Sequence, residues 1–279
     1  LLALSKLVKR GRGSNLMKIK AFTKPLIWRF RKHSAKYLAS RLASHSNSSV
    51  RAIGDALHAS LTGELTEDES VIVDQIEARR IYLMESKKSI SVIDYGASSP
   101  EANRSREEMQ KGRRSTTTVA DICSVSKSPF WGTLLLKLIE ELQPVSCVEL
   151  GSCVGISAAY QAAGMKINGT GSLVTLEGSP EVADLAKQTF ETLGLKNVSV
   201  VTGPFHQTLS QVLESSAPIG YFFNDGHHDH DAVLEYYHAS LPYLSDQAVV
   251  VFDDISWSVG MRKAWEYIES HEKVFALST

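Results

Sequence analysis

The sequence predicts an α/β protein: a Rossmann-like, doubly wound, mostly parallel sheet with helices on both faces, plus an N-terminal helical extension. Three observations predict it. From about Val148 onward, short β-branched runs alternate with helix-length segments, the rhythm of a parallel sheet with crossover helices. Within Val148 to Tyr160 an apolar run ends in an acid and turns through Gly151 and Gly155 into small apolar residues, which reads as strand, tight loop and helix start. Finally, acids recur at the ends of the later strands, where sheets of this kind bind ligands.

The N-terminal part differs in charge from the rest. Residues 1–54 hold thirteen Lys or Arg and no acid, the first acid being Asp55, whereas the remainder holds 17 basic against 31 acidic residues. A net charge of -1 therefore conceals a basic arm on an acidic body. In the arm, basic residues interleave with Leu26, Ile27, Trp28, Phe30, Tyr37, Leu38 and Leu42, which predicts an amphipathic helix over about 24–43. Such a helix suits the flank of the main body, an anionic membrane surface or nucleic acid, and an acid-free start rich in Arg and Ser is also that of a transit peptide. The polar run 44–49 ends it. The sequence lacks an initiator Met and stops in the strand-like Val274-Phe-Ala-Leu, so both ends are expected to be incomplete. No apolar run approaches the roughly 18 residues of a membrane span. Cys123, Cys147 and Cys153 are odd in number and follow no metal spacing, which suits a reduced, intracellular setting.

Between 50 and 87 the pattern is helical. Ile53, Leu57, Leu61, Val71, Ile72, Ile76, Ile81 and Leu83 recur largely at three- and four-residue steps, and Thr66 with Glu69 forms a capping-box signature. These helices are expected to form a lid over the site. Ser91 to Gly96 imitates a strand running into a glycine, but Pro100 follows and 101–118 carries no apolar stripe to pack on a sheet, so 97–118 reads as a mobile loop or lid. Ser128-Pro129 then starts a helix, Phe130 to Leu142, that Pro144 ends.

After Gly151 the order is regular. Strands are predicted at 172–177, 198–201, 219–223 and 248–252, with helices at 180–193, 208–213, 232–244 and 260–270 between and after them. The carboxyl ends of the strands then present Glu149, Glu177, Gly203, Asp225 and the pair Asp253-Asp254 on one rim.

Those residues suggest a ligand. Gly151 and Gly155 let it approach the backbone, and the unpaired N–H groups opening the helix favour an anionic group such as a carboxylate. Glu177 is placed to accept both hydroxyls of a ribose. A dinucleotide loop needs two glycines one residue apart to admit pyrophosphate, whereas Ser152, Cys153 and Val154 all separate Gly151 from Gly155. That spacing disfavours an NAD-type oxidoreductase and favours a ribose without pyrophosphate. S-adenosylmethionine meets the description, its carboxylate on the loop and Ser157, its ribose on Glu177, its adenine on the wall from Gly203 to His206.

Asp225, Asp253 and Asp254 form a second group. Three adjacent carboxylates repel unless a hard divalent cation binds them, and an all-oxygen set suits Mg²⁺, Mn²⁺ or Ca²⁺ better than zinc. The plainer alternative makes Asp253-Asp254 a polar turn after a strand. Asp225 also opens the run Asp-Gly-His-His-Asp-His-Asp. Adjacent histidines on a turn rarely present both rings to one ion, so Asp225 reads as a metal ligand and His227 or His228 as a general base.

As a set, Glu-Leu-Gly-x-x-x-Gly-x-Ser at 149–157, Thr-Leu-Glu at 175–177, Gly-Pro at 203–204, Asp-Gly-His-His at 225–228 and Phe-Asp-Asp at 252–254 resemble the class I S-adenosylmethionine-dependent methyltransferases. The resemblance is to the cation-dependent O-methyltransferases of the catechol and caffeoyl-coenzyme A type and of antibiotic sugars, and it spans about 126–265. It implies that Glu149, Gly151, Gly155 and Ser157 contact the methionine end, that Glu177 binds the ribose, and that Gly203, Phe205 and His206 flank the adenine. It implies Asp225, Asp253 and Asp254 as metal ligands, with Asp225 also beside the donor. The chain departs from it in three ways. The catechol type has Asp-Asn where this chain has Asp253-Asp254, and its lysine base falls on His228 while the sugar-enzyme base falls on His227. The family's last strand is missing, in keeping with an incomplete end.

The sequence thus predicts a basic arm at 1–49, a helical and loop lid region at 50–125 and a donor-binding domain at 126–279. The expected reaction is divalent-cation-dependent O-methylation of a small-molecule hydroxyl by a cytoplasmic enzyme, peripheral to a membrane surface if the arm binds there. A homodimer is compatible with the sequence. The alternatives are a metal-independent methyltransferase acting on nucleic acid through the arm, an NAD-type oxidoreductase, and a non-catalytic membrane-associated protein that kept the fold.

Overall fold

The structure, a computed structural model, describes residues 35–96 and 105–274. Residues 24–34 of the predicted arm helix lie outside them. Residues 35–43 are helical (α1), followed by α2 (Ser48–Thr62) and α3 (Glu67–Met84). Next come β1 (Ser89–Asp94), α4 (Arg106–Lys111), β2 (Arg113–Thr118), α5 (Val119–Cys123) and α6 (Pro129–Leu142). The remainder is β3 (Ser146–Leu150), α7 (Ile156–Asn168), β4 (Ser172–Glu177), α8 (Pro180–Thr192), β5 (Val198–Thr202), α9 (Phe205–Ser216), β6 (Ile219–Asn224), α10 (His230–Ser240), β7 (Leu244–Phe252) and α11 (Val259–Glu269).

The last five strands form one parallel sheet in the order β5-β4-β3-β6-β7. Side chains alternate across it with a period of two, so neighbouring residues enter different cores. Cys147, Tyr221, Phe223, Val249 and Val251 join the core under α2, α3, α6, α7 and α8. Val148, Phe222, Val250 and Phe252 join the opposite core with α9, α10 and α11. Helices therefore cover both faces.

The helices expected as a lid contribute to the first core. Val50, Ile53 and Ala56 of α2 and Ile72, Ile76 and Leu83 of α3 are buried in it. Polar bonds fix the same contact: Lys137 of α6 pairs with Glu69, and the hydroxyl of Tyr160 on α7 donates to Glu77 at 2.7 Å. The capping box at Thr66 and Glu69 forms as its spacing predicts. Residues of 50–87 thus pack an apolar stripe against the sheet's helices. The end of the arm docks here too. A Cβ on Gly54 would stand 2.1 Å from the backbone N of Ala43, and Ala39 is buried, while Tyr37 and Leu38 of α1 are exposed.

Of the segment 97–118, read as a loop, residues 97–104 lie outside the described ones, and 105–118 hold a helix and a strand. β2 pairs antiparallel with β1 from Ser89↔Thr118 to Asp94↔Arg113, and α4 precedes it. This ribbon is tied to α8 through its backbone. The N–H of Ser91 donates to Glu181 at 3.1 Å and that of Ile93 to the Ser179 hydroxyl at 3.1 Å.

Candidate active site

The residue after four of the five strands of the sheet is fastened to the neighbouring strand's end. Gly151 N–H donates to the Leu176 carbonyl at 2.9 Å, Asp225 N–H to Leu150 at 3.0 Å, Asp253 N–H to Asn224 at 3.1 Å and Gly203 N–H to Glu177 at 2.9 Å. These bonds line up the predicted rim. The chain winds outward from β3 in one direction through β4 and β5 and in the other through β6 and β7, so the crevice lies between Gly151 and Asp225, at the switch point. A cavity of about 580 Å³ opens there, within the usual range for small-molecule sites.

The predicted donor contacts divide. Gly151, Ser157, Glu177, Phe205 and Asp225 line the cavity, whereas Glu149, Gly155, Gly203 and His206 are not among its lining residues. Glu149 is fully buried: it accepts from Thr175 at 2.6 Å and from Gln161 of α7 at 2.8 Å, and burial pushes its pKa up to about 7. Because it shares a sheet face with Cys147, it reaches under α7 and props the loop from beneath rather than meeting a ligand. The glycines also serve the protein's own packing. Gly151 has φ 92°, and a Cβ there would lie 2.5 Å from the Asp225 carbonyl oxygen; Gly155 has φ 86°, and its Cβ would lie 3.0 Å from Cα of Ala186. Both would clash with backbone before any ligand was present.

Glu177 is held with both carboxylate oxygens in use. One accepts the Cys153 N–H at 3.0 Å and the other the Ser179 N–H at 2.9 Å, which fixes the orientation of a group that lines the cavity. Burial, opposed by those bonds, pushes its pKa up to about 7. A carboxyl oxygen has further lone pairs, so hydroxyl donors are accepted beside the backbone ones.

On the other side of the crevice stand the three aspartates and two histidines. Nε2 of His228 lies 3.5 Å from Asp254 and 3.9 Å from Asp225. Nδ1 of His227 bonds the Tyr236 hydroxyl at 2.6 Å, and burial first, then His228, pushes its pKa down to about 4. Cys153 and Asp254, both lining the cavity, adopt left-handed backbone at φ 49° and 50°, a conformation that costs energy for residues other than glycine and gathers at sites.

Residues 148–255 match the family described as a methyltransferase domain. That match spans less than half of the chain. The chain is 30% identical over 138 residues to a catechol O-methyltransferase of Niastella koreensis, a match covering 49% of this chain and 61% of that protein. The chain thus spans about three fifths of that relative's length. Among solved structures, the SAH-bound methyltransferase of Podospora anserina superposes with a TM-score of 0.51 at 15% identity over 75% of this chain and 81% of that one, a likeness of fold. The O-methyltransferase of Bacillus cereus in complex with SAH has a TM-score of 0.48 at 24% identity, covering 55% and 74%.

Sequence reasoning missed one charged group in the crevice. The ammonium of Lys127 lies 2.8 Å from Asp225 and contacts Asp253 directly, standing where the aspartates were expected to hold a cation. Burial pulls the lysine's pKa down, but Asp225 and Asp253 outweigh it and keep it protonated above its ordinary range. With that ammonium in place the three carboxylates do not fit a divalent ion, and among the described residues no group of three His, Cys, Asp or Glu is placed to hold one. The one available signal was that Lys127 is the sole Lys or Arg between Arg114 and Lys137, just before a helix start. Tyr236, which fixes His227, gave none. The opposite wall is formed by Val92, Asp94 and Tyr95 of the β1 end and by Ser115 and Thr117 of β2, with Trp257 at the far side. Among the described residues no helix is long and apolar enough to cross a membrane.

Proposed function

We propose that this chain transfers a methyl group from S-adenosylmethionine to a hydroxyl oxygen of a small molecule. The observation that carries the reading is Glu177, oriented by two backbone N–H groups at one end of a cavity whose other end holds Asp225, His228 and Asp254. The curated catechol O-methyltransferase relative supports the acceptor class, and the crevice at the switch point supports the donor.

When bound, S-adenosylmethionine supplies an electrophilic methyl group on a sulfonium. Glu177 accepts the ribose hydroxyls, and the Gly151 loop with Ser157 faces the methionine end. Phe205, packed against His227 with ring centroids 5.2 Å apart, closes the rim beside them. His228 takes the acceptor's hydroxyl proton, and the walls of the cavity hold the oxygen in line and keep water away.

Labelled S-adenosylmethionine incubated with a metabolite extract tests this, with methylated products read by mass spectrometry. Binding of S-adenosylhomocysteine but not NAD, seen as a thermal shift, is the expected companion result. Binding of NAD alone would overturn the reading.

A second reading keeps the divalent cation. It is supported by the gathering of Asp225, Asp253 and Asp254 on adjacent strand ends, and it requires Lys127 to swing away. Loss of turnover with chelator and its return with Mg²⁺ would favour it. The basic arm, of which 35–43 docks on α2, leaves membrane surface and nucleic acid as proposed contacts. Salt-dependent RNA binding or liposome co-sedimentation that disappears when 1–34 are removed would show either.

A further inference from the structure

We infer that Lys127 is a built-in cation: its ammonium takes the place a metal ion would occupy and binds the acceptor oxygen directly, so methyl transfer proceeds without a divalent ion. The inference rests on the proposed O-methylation.

Three features carry it. First, the ammonium is engaged from the strand side by Asp225 and Asp253, which come from β6 and β7 and are joined by the Asp253 N–H to Asn224 carbonyl bond of 3.1 Å. Two carboxylates on separate strands therefore fix one positive charge. Second, Lys127 itself lines the cavity, beside Asp225, Asp254 and His228, so the charge borders the space an acceptor enters. Third, the lysine is carried on a rigid support. It immediately precedes the N-cap of α6, whose Leu134, Leu135, Leu136 and Leu138 are buried against the sheet's helices, and its own side chain is 11% exposed. A long, flexible side chain held this way is preorganised, which is what stabilising a developing oxyanion requires.

The charge arithmetic favours the ammonium over an additional ion. Two buried carboxylates already share one protonated amine, and a divalent cation entering between them would meet that amine at close range and would have to drive it out into the cavity. In the reaction the amine changes neither bond nor charge. The O–H proton leaves to histidine, the oxygen's lone pair forms the new O–C bond, and the S–C bond breaks with its electron pair remaining on sulfur.

The test uses Mn²⁺ as the probe. The whole chain, saturated with S-adenosylhomocysteine, is titrated with Mn²⁺ and followed by electron paramagnetic resonance, alongside Lys127→Ala and the similarly sized Lys127→Met. The expected result is no Mn²⁺ uptake at the rim of the wild type and uptake of one ion by at least one variant, lost again on adding Asp225→Asn. Methyl transfer to the extract by the wild type is expected to survive chelator unchanged and to fall at least a hundredfold in both variants in the absence of metal. Uptake of Mn²⁺ by the wild type at Asp225, with chelator-sensitive turnover, overturns the inference. So does wild-type turnover in Lys127→Met without metal. Failure of all proteins to bind S-adenosylhomocysteine would instead sink the methyltransferase reading on which the inference stands.

Discussion

Nδ1 of His227 lies 2.6 Å from the hydroxyl oxygen of Tyr236, and this bond separates two adjacent histidines into different roles. His227 is committed to α10 and kept neutral, its pKa pushed down to about 4 by burial and then by His228. His228 instead turns Nε2 toward Asp254 and Asp225 and lines the cavity. Replacing His228 with Ala should lower methyl transfer by roughly 10²-fold or more, the scale of a positioned base. His227→Asn, which keeps a polar partner for Tyr236, should stay within a few fold. Rates measured with labelled donor decide this, and equal losses would reject the division.

Donor affinity should depend on pH through Glu177. Its pKa of about 7 means that below neutrality the group is protonated and offers a donor where ribose hydroxyls need an acceptor. Affinity for S-adenosylhomocysteine, measured by calorimetry, should rise between about pH 6 and 8 in the wild type. In Glu177→Gln it should be weaker by about tenfold or more, the value of one hydrogen bond to a charged group, and flat across that range.

Glu149 sets an opposite slope, in stability. Its folded pKa of about 7 exceeds its ordinary 4.5, so between those values the native state holds more protons than the unfolded one and stability falls as pH rises. The full cost, about 3 kcal/mol for a buried group shifted this far, is reached above pH 7. Glu149→Gln should therefore gain on the wild type as pH rises from about 5 to 7.5 in urea unfolding curves. A difference that does not change with pH would contradict the buried, protonatable acid.

Gly151→Ala should damage fold and site together. The new Cβ would sit 2.5 Å from the Asp225 carbonyl oxygen at φ 92°, combining a left-handed backbone with overpacking, together about 2–4 kcal/mol. A lower melting temperature with weakened S-adenosylhomocysteine binding is expected. Unchanged binding in a folded variant would show that the Asp225 loop tolerates displacement.

The sheet and its helices were legible because each element carries its own period. Tyr221, Phe222 and Phe223 alternate between two cores, and Val182, Leu185, Ala186 and Phe190 share one helix face. The strand Arg113–Thr118 was not legible: Arg and Thr residues with largely exposed side chains show no apolar alternation, and its partner lies at Ser89–Asp94, so the pairing is visible only in space. The acids at strand ends followed from topology, yet Glu149 shows the limit of that logic, since one residue of register turns a side chain from the rim to beneath a helix. Lys127 was invisible for a related reason. Its relation to Asp225 and Asp253 spans 98 and 126 positions along the chain, and its isolation between Arg114 and Lys137 does not by itself mark a lysine as destined for burial.

The β1–β2 ribbon is fastened to α8 by its own backbone amides and stands apart from the five-stranded sheet. One wall of the cleft is thus a separate piece of polypeptide from the rim that holds Glu177. Exchanges at Ser115 or Thr117 can reshape what enters without touching the strands that fix Gly151 and Asp225. Selectivity and chemistry are free to evolve at different rates, and grafting a foreign ribbon is the direct way to redirect this scaffold to a new acceptor.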